Sequence, residues 1–354
     1  MGLYKEIIDY KEEGFKMVLI KRKYLSIIAF IVLPLFLFGC STASNKADAA
    51  SNVTEEISLN PGAMLKSEEG KYNLYNYDDG KYLKMDVDKV ILAYDKESSN
   101  YIGINDDGKY FVSKGNKYDI KDNDISGLKL SKEGKYISYF IQDNGLKLKI
   151  YNTFNNTEKK INSNVTISGT LYDWYNKDTL IYYGVSNDGI NGLFTYDLKE
   201  DKEKLLYKIN EGFLAYLKAT ENDILFLQIT LENKRTIMVI DKDTKNVKKL
   251  SSTMDEIKDV VKSNDKYYAI GKGKDNVESL YELKTDGIKR VVYDFPAIIE
   301  VEKGLALDDN GDVLFIGSKK RGSTGQQIYK YSSDGTISRI EDTGTDYTFV
   351  EYIK

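Results

Sequence analysis

Short apolar runs, each preceded by tight-turn residues, recur along most of this chain. Glu133-Gly134-Lys135 precedes Tyr136-Ile137-Ser138-Tyr139-Phe140, and Lys177-Asp178 precedes an apolar run over 179–183. Asn222-Asp223, Asn264-Asp265 and Asn310-Gly311 lead into runs at 224–227, 266–270 and 312–316. From Gly134 through Asp178, Asp223 and Asp265 to Gly311, the intervals are 44, 45, 42 and 46 residues. A shorter unit turns at Ser98-Ser99, 35 residues before Gly134. Each interval holds four strand-like segments, for example 171–174, 180–184, 193–197 and 205–209. The connections are too short for helical crossovers, so neighbouring strands pair antiparallel. Short strands repeated at a period near 44 predict an all-β fold, a β-propeller of four-stranded blades.

Counting blades addresses closure. Six units begin near Val90, Ile125, Gly169, Gly212, Ile257 and Ala297. The C-terminus then offers one more strand, 347–353, and stops. The N-terminal side offers a matching remainder: a weak strand at Met64-Leu65, then strands at 71–76 and 81–86. One C-terminal strand joined to these makes a seventh blade, and a ring closed in this way protects its sheet edges. Seven blades over residues 63–354 is the expectation; six blades with ragged ends is the alternative, and a stacked β-sandwich comes third.

Some turns carry a family likeness. Ser131-Lys132-Glu133-Gly134-Lys135-Tyr136-Ile137 resembles the Ser-Pro-Asp-Gly-Lys turn and following strand of bacterial TolB-like/WD40-like propellers. Trp174-Tyr175-Asn176-Lys177-Asp178-Thr179-Leu180 is a looser version, and Asp241-Lys242-Asp243-Thr244-Lys245-Asn246 resembles an outer-hairpin turn of such blades. The prolines of the TolB-type turn are missing and no Gly-His/Trp-Asp pairs occur, so the resemblance implies the architecture alone.

The N-terminal 39 residues have a different pattern. Lys21-Arg22-Lys23 precedes an apolar stretch at 24–38 broken only by Ser26 and Pro34; Gly39 and Cys40 follow. This is the charge–apolar–small order of an export signal. Leu37-Phe38-Gly39-Cys40 resembles the lipobox of bacterial prolipoproteins, Phe38 being bulkier than that position usually carries. The resemblance implies cleavage between Gly39 and Cys40 and a diacylglycerol on the Cys40 sulfur. Two or more acyl chains anchor a protein stably where one does not. The apolar run falls short of the roughly 20 residues of a membrane span. Acidic Glu6, Asp9, Glu12 and Glu13 do not suit a signal, so translation is expected to start at Met17. Residues 40–62, rich in Ser, Ala, Asn and Thr, read as a flexible tether, about 20 residues of which span about 25 Å.

Composition narrows the chemistry. The chain has no histidine and one cysteine, which excludes His-based triads, His-ligated zinc and an internal disulfide. Without residues 1–39 the net charge is −6, with signs interspersed, which argues against a nucleic-acid partner. No cofactor is expected. Tyrosine is abundant, at 29 residues, and suits blade faces because its ring packs while its hydroxyl finds a polar partner.

Asp241-Lys242-Asp243 begins like a calcium loop, but Lys245 stands where the pattern needs Asp or Asn, so a hairpin turn is the reading. Asp122-Asn123-Asp124 and Asp308-Asp309-Asn310-Gly311 read the same way, and no metal site is expected. Ser332-Ser333-Asp334-Gly335 has its glycine one place early for a sialidase box and lacks the tryptophan. Trp174, the only tryptophan, is a candidate ligand contact, with packing between blades as the commoner role. The basic loop at 319–325 is read as a solvated hairpin. The sequence thus points to a lipoprotein held by Cys40 on the extracytoplasmic face of the cell membrane. Its expected role is a non-catalytic binding or scaffold module for a protein or small ligand. The alternatives are a carbohydrate-active hydrolase with a carboxylate pair in the propeller funnel, and a structural part of an envelope assembly.

Overall fold

A computed structural model describes residues 51–52, 56–251, 254–320 and 325–354. Met17, Gly39 and Cys40 lie outside them, as do Arg321 to Thr324 of the basic loop.

The period becomes seven antiparallel sheets arranged as propeller blades. Blade 1 comprises Val90–Asp95, Tyr101–Asn105, Gly108–Ser113 and Asn116–Asp119. The innermost strands of blades 2 to 5 are Ser126–Leu130, Val165–Trp174, Phe213–Ala219 and Met254–Ser263. In blade 6 the innermost position is shared by Ile298–Ile299 and Leu305–Leu307, both paired with Val313–Ser318. Blade 7 joins the chain ends: Tyr347–Phe349 is innermost, followed by Met64–Glu68, Lys71–Asp78 and Lys81–Lys84. The ring therefore has the expected seven blades, and the six-bladed alternative falls away. The predicted starts at Gly169 and Ile257 fall late, because both strands run on past a register shift that an alternation count cannot follow.

In blades 1 to 6 the second strand is the apolar spine. Thr179–Ser186 and Val313–Ser318 are buried almost throughout because both faces of a blade pack on neighbours. Seven apolar clusters fill the ring, most of them drawing on two adjacent blades. Tyrosine hydroxyls tie blades together: Tyr172 donates to Ser138 O at 3.0 Å, and Tyr267 donates to Asp223 Oδ2 at 2.7 Å.

Two segments depart from the expected ends. Residues 57–62, assigned by composition to the tether, pack on the ring. Ile57 and Leu59 are buried in the cluster with Leu65 and Tyr94, and Asn60 N–H donates to Asn76 Oδ1 at 2.7 Å. Their two-residue alternation is a strand-like pattern hidden in a polar stretch. The predicted last strand, 347–353, divides at Val350. Beyond it Glu351–Ile353 pairs parallel to Ala93–Asp95, on the free inner edge of blade 1.

Candidate functional site

Two regions of a propeller are placed to meet other molecules: the channel ringed by the innermost strands, and the face carrying the turns between second and third strands.

Three lysine–aspartate pairs cross-link the channel, each joining two consecutive blades. Lys129 of blade 2 donates to Asp173 Oδ1 of blade 3 at 3.0 Å. Lys218 of blade 4 is bonded to Asp259 of blade 5, and Lys303, just before the Leu305–Leu307 strand of blade 6, donates to Asp346 Oδ1 at 2.6 Å, just before blade 7's innermost strand. The aspartates also hold main chain. Asp173 accepts from its neighbour Trp174 N–H (3.0 Å) and from Ala219 N–H of blade 4 (2.8 Å). Asp259 repeats the device with Val260 N–H (2.8 Å) and Leu305 N–H of blade 6 (3.0 Å). Each of these two carboxylates therefore touches three successive blades.

Pairs need an even number of blades and there are seven. The unpaired one is blade 1, where Ala93 stands one step before the strand's last ladder residue, as Lys129 and Asp173 do in blades 2 and 3. The parallel tail lies there instead, Glu351 opposite Ala93. Glu351 is open to solvent yet surrounded by protein, as a channel residue must be. That enclosure pushes its carboxyl up, against the pull of Lys129. For Lys129 burial works downward, but Asp173 and Glu351 outweigh it and hold the ammonium above its ordinary range. A second tier of inter-blade pairs lies near the turns between first and second strands, where Lys262 donates to Asp223 Oδ2 at 2.6 Å and Lys177 to Glu133 Oε1 at 2.6 Å.

Trp174 is mostly buried, with its ring stacked on Tyr136 of blade 2 at 5.7 Å and 14°. Its indole N–H is buried without a hydrogen-bond partner. Asp241 Oδ1 accepts from Thr244 N–H (2.7 Å) and Asp243 N–H (3.1 Å), and Asp308 Oδ1 from Asp312 N–H (2.8 Å) and Asn310 N–H (3.0 Å). Both carboxylates thus organise turns. Asp122 pairs with Lys149 at 2.6 Å. Among the described residues no group of three or more Cys, Asp or Glu is placed to hold a metal ion. Ser332 Oγ donates to Asp312 Oδ2 at 3.0 Å, and Lys319 and Lys320 are exposed.

The opposite end of the ring looks different. Large apolar side chains that remain exposed gather where second strands turn into third strands and where one blade leads to the next. Leu146, Val185 and Leu231 stand at or beside the turns of blades 2, 3 and 4; Phe213 begins blade 4; Tyr293 and Phe295 lie on the connection into blade 6. Tyr72 sits beside the corresponding turn of blade 7. Only Phe154 and Val247 sit near the other face among the described residues, while Leu83 and Leu205 lie on outermost strands. Leu231 is 86% exposed and Tyr293 61%. Sequence inspection missed this grouping because the residues are scattered over five blades; marking each apolar residue by its phase within the repeat would have gathered them.

The fold and its channel define a seven-bladed β-propeller cross-linked at its centre. No protein-family model and no curated protein matches the chain. Solved structures do resemble it. An oligogalacturonate lyase in complex with manganese superposes with a TM-score of 0.50 at 13% identity, over 83% of this chain and 86% of the lyase. A chain from a study of two prolyl endopeptidases gives 0.52 at 12% identity, covering 84% of this chain but only 50% of its own length. TolB from Acinetobacter baumannii gives 0.42 at 12% identity, over 83% and 81%. At such identities the likeness concerns the fold.

Proposed function

We propose that this chain is a membrane-anchored extracytoplasmic lipoprotein whose propeller is a non-catalytic binding module, holding a protein partner on the face of the second-to-third-strand turns. The observation that carries the reading is the gathering of exposed apolar side chains on that face. Exposed apolar side chains collected on one face of a fold offer a surface that a partner can cover. Asp173, Asp259 and Asp346 are each engaged by a lysine and hold blades together, which supports a non-catalytic role for these three channel carboxylates. The anchor rests on the Leu37-Phe38-Gly39-Cys40 sequence.

The test is affinity purification of the full chain from native membranes, alongside a Leu231→Asp/Tyr293→Asp variant. A protein should co-purify with wild type and be lost from the variant, whose melting temperature should be unchanged because both side chains are exposed. A partner retained by the variant would refute the face assignment. Cys40→Ser should leave an uncleaved, unlipidated precursor; fractionation and maturation like wild type would refute the anchor.

A further inference from the structure

Between blades 4 and 5, on the same turn-bearing face, lies a cleft of about 340 Å³. Asn233, Lys234, Arg235 and Thr236 line it from the second-to-third-strand turn of blade 4, Lys249 from that blade's outermost strand, and Lys274 from the equivalent turn of blade 5. Asp255 is the single acidic lining residue. The cations are largely uncompensated. Arg235 reaches Asp255 only at 3.8 Å through Nη1, and its Nε is buried with no hydrogen-bond partner. Lys234 is neutralised by Glu232 at 2.5 Å, while Lys249 and Lys274 have no ion pair among the described residues. Four positive charges against Asp255 and Glu232 leave two in excess.

An arginine fork flanked by lysines matches a compact, multiply charged oxyanion. A phosphate monoester carries a charge of about −1.5 to −2 near pH 7, which meets the excess. We propose that this cleft binds a phosphate monoester group, with Arg235 as the directional donor and Lys249 and Lys274 as point charges. The site needs neither the membrane anchor nor the protein partner.

The probe is inorganic phosphate, titrated calorimetrically at low salt into the full chain in detergent. Saturable binding at one site is expected, weakened roughly tenfold or more by Arg235→Gln or by Lys274→Gln. The second variant lies on an exposed turn and guards against a folding defect in the first. Asp255→Asn should tighten binding several-fold by removing the opposing charge. Lys320→Gln, on a different turn, should leave binding unchanged. No saturable heat up to about 10 mM phosphate, or the same affinity in both weakened variants as in wild type, overturns the proposal. So does an equal loss in Lys320→Gln, which would mean diffuse surface charge. Calorimetric competition by phosphatidic acid in the same detergent micelles, against phosphatidylcholine, separates the sources. Arg235-dependent displacement of phosphate by phosphatidic acid supports a lipid headgroup as the phosphate bearer, and phosphate binding that phosphatidic acid does not displace supports a soluble ligand.

Discussion

Lys242 shows what one residue contributes here. It is buried, and its Nζ donates to Tyr175 O of blade 3 at 2.5 Å and to Thr220 O of blade 4 at 2.6 Å. Tyr175 replies by donating its hydroxyl to Lys242 O at 2.9 Å, with its ring under the ammonium at 4.9 Å. Burial pushes the Lys242 pKa down to about 8, from an ordinary 10.5. Between those values the unfolded chain binds more protons than the folded one, so stability rises with pH across the window. Below pH 8 the cost of the buried charge is fully present. From pH 8 to 9.5 the gain is about 2 kcal/mol. Melting curves of wild type and Lys242→Met should therefore diverge, wild type gaining relative to the variant as pH rises. Tyrosines titrating in the unfolded chain affect both proteins alike and cancel. Parallel pH profiles would remove Lys242 from the account. None of this was legible locally: the sequence marks the Asp241-Lys242-Asp243 turn correctly, but the partner carbonyl of Tyr175 is 67 residues away.

At the scale of strands, the repeat was legible because both faces of the second strand are buried in blades 1 to 6, giving compact apolar runs after fixed turns. Closure was legible too, since one leftover strand at the end matched the remainder at the beginning. The division of 347–353 was not. Tyr347 and Phe349 flank Thr348, and Tyr352 and Ile353 follow Val350 and Glu351, so the pattern reads as one strand. Val350 is nevertheless buried and donates its N–H to Ala63 O at 2.9 Å, and beyond it the chain leaves one sheet for the next. The channel cross-links sit between these cases. Lys129 and Asp173 lie 44 residues apart, Lys218 and Asp259 41, and Lys303 and Asp346 43. That alternation was visible in principle, but among 51 Lys/Arg and 55 Asp/Glu it emerges only after the blades are aligned.

For the whole ring, the two halves of the C-terminal segment have separable duties. Removing Glu351 to Lys354 leaves the closing strand Tyr347–Phe349 paired to Met64–Lys66, but uncovers the inner edge of blade 1 and takes the Glu351 carboxylate from Lys129. A melting temperature lowered by a few degrees, with one sharp transition, is expected. Ending the chain at Thr345 also removes Asp346, the buried Tyr347 ring and its strand, and leaves a ring with an open edge. That variant should melt broadly, and hydrogen exchange should show blade 7 losing protection first. If both truncations behave alike, the parallel tail and the closing strand are not distinct elements.

The parallel tail also sets an order of events. Ribosomes make a chain from its N-terminal side onward, and here residues 347–353, made after the other six blades, both complete blade 7 and cover the inner edge of blade 1. Until residues 347–353 are made, blade 7 lacks its innermost strand and the ring has no closing pair. Closure thus waits on residues 347–353, and a chain broken before them carries an open edge that proteases can reach.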